Sequence, residues 1–254
     1  MRQVSHSLGA NPSYGIIGNG RLARHIQFYF KLKNIPHTLW HRQQSDSPED
    51  VLNQSNIILL AISDDAIDAF LDDHPRLNDK LCVHFSGALV SQHALSYHPL
   101  MTFSSEFQDL DFYQNLLFVG EDNAPTFSTI FPQLTNPCIQ IPQAKKAYYH
   151  ALCVMANNFT TLLWQKFFNE MTTVFNASLN DLKPYLKQTL LNIDSDYSNA
   201  LTGPLKRQDL QTIKHNLDAL EEDAFVKIYQ AFVDVYQTNL DNEMGEKYEH
   251  AQSN

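Results

Sequence analysis

The feature that most constrains the fold is a short apolar run, followed at once by a glycine turn, near the start of the 254-residue chain. Residues 14–17 are predicted to form a strand, and residues 18–23, G-N-G-R-L-A, precede apolar side chains at helical spacing. Gly18 permits a tight turn, Gly20 leaves room for a pyrophosphate, and Ala23 lets the helix pack closely on the strand. The pattern predicts a dinucleotide-binding turn, with a simple packing turn as the alternative.

The first half of the chain alternates strand-length apolar runs with helical spacing. The predicted strands cover residues 14–17, 38–40, 57–62, 81–85, 116–119 and 138–141. Several runs are apolar throughout rather than alternating, as in parallel strands covered by helices on both faces. This alternation predicts an α/β fold with a doubly wound, mostly parallel Rossmann sheet.

The second half has a different pattern. Residues 143–176 contain neither Gly nor Pro and show helical spacing, and no strand pattern follows them. We therefore predict a Rossmann dinucleotide-binding domain over residues 1–142 and an all-helical domain over residues 143–254.

The end of the second predicted strand indicates which cofactor is bound. NAD-preferring sites usually place an acid there, whereas this chain has Arg42 and no carboxylate before Asp46. A guanidinium can bind a 2′-phosphate, so Arg42 predicts NADP(H), with a solvated loop cation as the alternative. We expect Ala61, Ile62 and Ser63 to lie beneath the ribose and nicotinamide, although Ser63 or Asp64 could instead cap a helix. The expected cofactor-binding residues are Gly18, Asn19, Gly20, Arg21, Leu22, Arg42, Ala61, Ile62 and Ser63.

The candidate catalytic residues come from both halves. Lys146 and His150 are four residues apart on a predicted helix and share one face, and Asn157 lies nearly on the same line. A cation, an imidazole and an amide on one face could bind a carboxylate and relay a proton, although a solvated polar face would look the same. Ser86, at the end of a predicted strand, could hydrogen-bond a substrate or the cofactor's carboxamide.

Two nearby histidines are ambiguous. His84 lies at the end of the same predicted strand as Ser86, and His98 follows shortly afterwards in His98-Pro99-Leu100. Both could act in chemistry, but histidines in such positions are more often structural.

Composition excludes other classes. Eighteen Lys and Arg against 28 Asp and Glu give a net charge of −10, which opposes nucleic-acid binding. No apolar run approaches the roughly 20 residues that span a bilayer, so we expect no membrane partner. Three scattered cysteines and no apolar signal segment near Met1 predict a cytoplasmic protein. The histidines show no zinc-site spacing, and no metal is predicted.

Several segments together resemble a known family. They are residues 15–23, 84–88 and 98–100, then Lys146 through Tyr149 and His150 to Asn158, and residues 201–204 with Arg207 and Asp209. In this order they resemble the Rossmann-like NADP oxidoreductases that carry a C-terminal helical domain of unknown function. These are distant relatives of pyrroline-5-carboxylate reductase, ketopantoate reductase and 6-phosphogluconate dehydrogenase-like enzymes. The chain departs from the pattern at Gln208, where a Gly is usual.

The resemblance implies a helical domain like the C-terminal domain of 6-phosphogluconate dehydrogenase, which usually supports a homodimer. It favours Asn158, whereas ideal helical spacing favours Asn157. The predicted catalytic set is therefore Ser86, Lys146, His150 and Asn158, with His150 or Lys146 donating the proton. We expect an NADP(H)-dependent reductase of a small carbonyl or imine that bears an acidic group; a non-catalytic NADP(H)-binding sensor or dimeric scaffold is the alternative.

Overall fold

The computed structural model describes residues 12–252, and the side chains of residues 12–242. Residues 1–11, over which the sequence predicts no signal peptide, lie outside the described residues. The strands are β1 (Tyr14–Ile17), β2 (His37–Trp40), β3 (Ile57–Leu60), β4 (Leu81–His84), β5 (Leu95–Pro99), β6 (Phe118–Glu121) and β7 (Cys138–Ile141).

Helices follow most strands and then make up the rest of the described chain. They are α1 (Arg21–Leu32), α2 (Pro48–Val51), α3 (Ile67–Asp73), α4 (Leu110–Gln114), α5 (Phe127–Ile130), α6 (Lys146–Cys153), α7 (Thr160–Thr173), α8 (Leu179–Ser195), α9 (Gly203–Arg207), α10 (Leu210–Ala219) and α11 (Val226–Gln252). Short 3₁₀ turns cover Asp64–Ala66, Pro75–Asp79 and Gln143–Lys145, and a π-helical turn covers Val154–Phe159.

The strands form one sheet in the order β2-β1-β3-β4-β5-β6-β7. Neighbours are parallel except β5 and β6, which pair antiparallel through Tyr97, His98 and Pro99. The predicted doubly wound, mostly parallel sheet is thereby confirmed. The chain runs from β1 to β2 on one side and returns to β3 on the other, so the topological switch point lies beside β1.

The sheet is buried on both faces, which explains the uninterrupted apolar runs. All four residues of β1 and of β3 are buried. Alternate residues of these strands belong to two separate apolar clusters, one containing Ile16 and Leu59 and the other Ile17 and Leu60. Since successive strand residues point to opposite faces, each cluster covers one face of the sheet.

Two strands differ from the prediction made from the sequence, one in its existence and the other in its bounds. β5 was not predicted, because its residues L-S-Y-H-P include serine and histidine and end in proline. β6 begins two residues later than predicted and ends at Glu121, which is buried. An acid at a buried strand end indicates a partner nearby.

Contacts divide the chain into two compact units, one ending at Gln165 and the other beginning at Lys166. The predicted boundary near residue 142 follows directly after the last strand, and it stays a prediction about domain organisation. The helical unit has its own internal contacts: Lys166 pairs with Glu170 at 2.9 Å and with Asp223.

Gln208 has a left-handed backbone, with φ 53° and ψ 40°, at the end of α9. This is the conformation that glycine adopts most easily. The departure from the family pattern at this residue is therefore tolerated by the backbone, at some conformational cost.

None of the described helices combines the length and the apolar character that a membrane span requires.

Candidate functional site

The glycine turn is held between the ends of three strands. Gly18 has φ 121°, and a Cβ built on it would lie 2.3 Å from the carbonyl oxygen of Ala61. Its amide donates to the Trp40 oxygen at 2.9 Å, and the Ala61 amide donates to the Ile17 oxygen at 2.9 Å. Only glycine fits this position, because a side chain would be strained by φ and would strike backbone.

The second glycine leaves open space at the start of α1. Gly20 occupies the N-cap position with no side-chain hydrogen bond, and the first helical turn contains no acid. A Cβ built on Gly20 would meet no atom within 4 Å. The first-turn amides and the positive end of the helix dipole therefore face unfilled space, which fits the pyrophosphate of a dinucleotide. The neighbouring Asn19 is exposed, and the Leu22 side chain packs against the core.

The Arg21 side chain turns away from this space. Its Nη1 donates to the carbonyl oxygen of Phe103 at 3.2 Å. Arg21 therefore offers the turn its backbone amide, while its guanidinium is engaged elsewhere.

Arg42 is exposed in a folded loop that follows β2. The loop closes through Trp40 Nε1, which donates to the Asp46 carbonyl oxygen at 2.8 Å. The His41 amide donates to Gln44 Oε1 at 3.0 Å. β2 pairs with β1 up to Trp40, so this loop lies at the same edge of the sheet as the glycine turn.

The segment after β3 lies beside the glycine turn. Ala61 is buried, and the Ile62 side chain would be 3.3 Å from a Cβ on Gly18. Ser63 holds the cap position of the 3₁₀ turn Asp64–Ala66, but its hydroxyl makes no capping hydrogen bond and is exposed. The serine hydroxyl therefore remains available, and the cap alternative rests on the backbone alone.

Ser86 is buried and its hydroxyl is occupied. The hydroxyl donates to a carboxylate oxygen of Asp64 and accepts from the amides of Leu89 at 2.9 Å and Ala88 at 3.2 Å. These bonds close the loop after β4. A direct hydrogen bond from this hydroxyl to a ligand would require one of them to break.

Lys146 lies in a buried ion pair. Its Nζ is 2.8 Å from Glu121 Oε1 and also donates to the Leu89 carbonyl oxygen, and the lysine side chain is only 3% exposed. Gln143 Nε2 donates to the other Glu121 oxygen at 3.0 Å. Burial lowers the pKa of Lys146, and the hydrogen bond to Glu121 opposes this shift. Both charges are thus satisfied within the protein.

His98 and His150 converge over Gly87. A Cβ on Gly87 would lie 2.7 Å from His150 Cδ2 and 3.2 Å from His98 Nε2, and the two rings are 6.3 Å apart. His98 Nδ1 is 2.8 Å from the Tyr149 hydroxyl. The imidazoles therefore meet at the carboxyl ends of β4 and β5, the edge of a parallel sheet where ligands bind.

The imidazole of His98 is neutral near pH 7. Its pKa is lowered to about 4, mainly by burial and then by electrostatic interactions with His150 and Lys146, while Asp64 opposes the shift. Burial also raises the pKa of Tyr149, so its phenol keeps the proton. The pair is an uncharged hydrogen-bonding unit.

His84 has a structural setting. It is fully buried, its Nδ1 accepts from the Ser86 amide at 3.2 Å, and its Nε2 has no partner among the described residues. Burial lowers its pKa to about 3. A neutral, sealed imidazole fits the structural alternative given for His84.

The π-helical turn Val154–Phe159 changes which residue shares the face of His150. A π-helical turn closes on i→i+5 and holds about one residue more than an α-helical turn. Asn158, eight residues after His150, therefore takes about the angular place that Asn157 would have in an uninterrupted helix. Asn157 Nδ2 donates to Asn158 Oδ1 at 3.2 Å, and both side chains are exposed. The π-helical turn favours Asn158, as the family pattern does, and the role of Asn158 stays a prediction.

The structure also brings in residues to which the sequence pattern gives no catalytic or binding role. Glu121, Asp64 and Tyr149 bind Lys146, Ser86 and His98, respectively. Glu121 lies at the carboxyl end of a strand, the same signal that points to Ser86 in the sequence. Tyr149 belongs to a segment that carries the family resemblance, but neither the resemblance nor the helical spacing assigns it a role.

A cavity of about 730 Å³ runs along α1. It is lined by Asn19 of the glycine turn and by basic side chains including Arg24 and Lys31. None of the predicted catalytic side chains lines it. Among the described residues, no cluster of three or more His, Cys, Asp or Glu could hold a metal ion.

The family comparison matches the second part of the chain. Residues 120–235 match the model of a domain of unknown function, DUF2520. A search of curated protein sequences finds no match.

Solved structures with similar folds include three reductases or oxidoreductases. A proposed NADP oxidoreductase from Bacteroides fragilis has a TM-score of 0.67 at 18% identity, over 89% of this chain and 98% of that one. An imine reductase from Myxococcus stipitatus in complex with NADP⁺ has a TM-score of 0.63 at 14% identity, over 91% of this chain and 95% of that one. A pyrroline carboxylate reductase from Plasmodium falciparum with NADP bound has a TM-score of 0.54 at 12% identity, over 89% of this chain and 99% of that one. At these identities the likeness establishes the fold alone. Residues 120–235 thus match the DUF2520 model, and the chain has the fold of these Rossmann-like NADP oxidoreductases; both findings agree with the family resemblance seen in the sequence.

Proposed function

We propose that this protein is an NADP(H)-dependent oxidoreductase that reduces a small carbonyl or imine substrate bearing an acidic group. The observation that carries the proposal is the turn from Gly18 to Gly20, where the amide-rich start of α1 faces open space. The NADP found with two proteins of similar fold supports the same cofactor.

Residues at the switch point of the sheet would hold the cofactor. The amides of residues 19–22 would bind the pyrophosphate, and the exposed guanidinium of Arg42 would bind the 2′-phosphate. Ala61, Ile62 and Ser63 would line the adjoining part of the site. When bound, NADPH supplies a hydride.

Of the two proposed proton donors, His150 is the better placed. The Lys146 ammonium is buried against Glu121 and the Leu89 carbonyl, so it would have to leave both to reach a substrate. His150 lies over Gly87, at the edge of the sheet, and makes no hydrogen bond with a described residue. We therefore assign proton donation to His150 and an electrostatic, positioning role to Lys146.

Ser86 and Asn158 have supporting parts in this proposal. Ser86 would hold the loop that carries Gly87, because its hydroxyl bonds Asp64 and two loop amides. Asn158 would bind the acidic group of the substrate from the face of the helix that also carries His150, an assignment favoured by the π-helical turn.

Calorimetric titration with NADPH and NADH tests the cofactor assignment. Arg42→Glu should weaken NADPH binding by about tenfold or more and leave NADH binding nearly unchanged, because the lost contact is one charge-assisted phosphate bond. Lys187→Glu, an equal change of charge on an exposed residue of α8, is the matched control. Equal losses for both nucleotides would remove the 2′-phosphate assignment, and no heat with either would remove the proposed function.

A substrate screen that follows NADPH absorbance separates an enzyme from a non-catalytic binder. His150→Ala should retain nucleotide affinity and lose turnover by about 100-fold or more, as expected for a general acid. If turnover by this variant equals that of the natural protein, the proton donor is misassigned.

We also propose that the protein forms a homodimer through its helical unit. Large apolar side chains are strongly exposed there, among them Phe175 at 67%, Leu191 at 59% and Leu210 at 70%. Apolar exposure on this scale is typical of a surface that a partner covers. Sedimentation analysis should give twice the 29.1 kDa chain mass, and a monomer at micromolar concentration would contradict the proposal.

From the sparse cysteines we further propose a cytoplasmic location, which cell fractionation would test.

A further inference from the structure

We propose that the two imidazoles over Gly87 form a site for an oxygen atom that gains negative charge, so that the substrate is a carbonyl compound rather than an imine. This inference rests on the proposed reductase function and narrows its substrate class. The groups that carry it all belong to the unit ending at Gln165.

The tautomer of His98 determines which of its ring nitrogens can donate a hydrogen bond. Burial keeps the Tyr149 phenol protonated, and its oxygen is 2.8 Å from His98 Nδ1. A hydrogen bond also links Tyr149 to the side chain of Cys153, but sulfur is a weak acceptor, so the phenol donates to the imidazole nitrogen. With Nδ1 accepting, the neutral ring carries its proton on Nε2, the nitrogen that faces Gly87.

The two imidazoles lie close to the backbone of Gly87. Gly87 lacks the Cβ that would come within 2.7 Å of the His150 ring and 3.2 Å of His98 Nε2. His98 Nε2 makes no hydrogen bond with any described residue. A donor that is oriented by one bond and unpaired at its other end is what an oxyanion site requires.

An iminium cation would need a nearby carboxylate to stabilise its positive charge. Both Glu121 oxygens are engaged, one by Lys146 and the other by Gln143. One Asp64 oxygen is taken by the Ser86 hydroxyl. The electrostatic interactions agree, since His150 and Lys146, which lower the pKa of His98, each act more strongly than Asp64, which raises it.

The two substrate classes place opposite demands on this site. In carbonyl reduction the carbon receives the hydride, the C=O π bond breaks, and the oxygen becomes negative before it takes a proton. His98 Nε2–H would stabilise that oxygen and His150 would protonate it, so that carbonyl, NADPH and one proton give an alcohol and NADP⁺. Imine reduction proceeds through a protonated, positively charged C=N group, which donors and cations destabilise.

Histidine-selective ¹⁵N NMR on the full chain tests the site without turnover. Acetate serves as the oxygen anion and pyrrolidinium as the mimic of a cyclic iminium cation. The His98 and His150 signals, identified with His98→Gln and His150→Gln, should shift with acetate and not with pyrrolidinium. His98→Gln should weaken acetate binding by about tenfold, the equivalent of one charge-assisted hydrogen bond, whereas His215→Gln on the exposed face of α10 should not.

Tyr149→Phe provides a readout that a purely structural residue would not move. In the natural protein the ¹⁵N shifts of His98 should show a protonated Nε2, and the variant should show a mixture of the two tautomers. A protonated Nδ1 in the natural protein, or shifts with pyrrolidinium alone, would overturn the inference.

Turnover then separates this inference from the function on which it rests. With NADPH, small ketones and aldehydes should be reduced at least tenfold faster than cyclic imines. Faster imine reduction would overturn the substrate class while keeping the reductase. Absence of NADP(H) binding would remove the reductase, and the acetate response of His98 would still decide whether an oxyanion site exists.

Discussion

Replacing Glu121 by Gln tests whether the buried ion pair organises the region around Lys146. Glu121 is 2% exposed and Lys146 is 3% exposed, with Nζ and Oε1 2.8 Å apart. Glutamine has the same shape but no charge, so the variant leaves an ammonium group buried beside neutral oxygens. Removing one partner of such a pair costs about 3–5 kcal/mol of unfolding free energy. We expect the lower end, because the Leu89 carbonyl still accepts from Nζ.

The unfolding free energy of the Glu121→Gln variant should depend on pH in a definite direction. Burial lowers the pKa of Lys146 in the folded protein, and loss of Glu121 lowers it further. Between that lowered pKa and the ordinary value of about 10.4, the unfolded chain binds more protons than the folded one. Stability therefore rises with pH across this window, and the variant should recover part of its loss between pH 7 and pH 10.

Urea unfolding of the natural protein and the variant, at both pH values, measures these quantities. Asp50→Asn is the matched control in the same unit, since Asp50 pairs with Arg76 on the surface and exposed pairs contribute little. The double variant Glu121→Leu with Lys146→Met should regain most of the stability, because apolar pairs often replace buried ion pairs without loss. A loss in Glu121→Gln no larger than in the control, or one that grows with pH, would refute the reasoning.

Three further predictions concern backbone positions. Gly18→Ala should lower the unfolding free energy by about 1–3 kcal/mol through strain, with a further loss from the clash with Ala61, and should abolish nucleotide binding; calorimetry showing normal affinity would contradict the role of the turn. Gly87→Ala should keep nucleotide affinity and reduce turnover about 100-fold, because the new methyl group displaces the His150 ring; unchanged steady-state rates would show that the ring position is unimportant. Deleting Ala156 should convert the π-helical turn to an α-helical one and reduce substrate affinity while circular dichroism stays helical; unaltered KM would count against the role given to the turn.

The sequence predicts the sheet and the glycine turn because both depend on local patterns. A strand buried on both faces needs an uninterrupted apolar run, as in residues 57–60, and a tight phosphate turn needs glycine at fixed offsets. β5 escapes the same reasoning, because Ser96 and His98 interrupt its apolar pattern while the fold buries Ser96 and pairs both neighbouring strands with it.

The chemistry at the strand ends could be predicted only in part, because it depends on pairs of residues far apart in the chain. Helical spacing places Lys146 and His150 on one face, but whether they act together depends on Glu121, 25 residues before the lysine, which holds the ammonium inside the protein. Once Lys146 is bound there, its charge acts through space and helps to keep His98 neutral. A residue that the spacing marks as a proton donor thus contributes, after burial, to keeping a neighbouring imidazole neutral, and that contribution follows from its buried position rather than from sequence pattern.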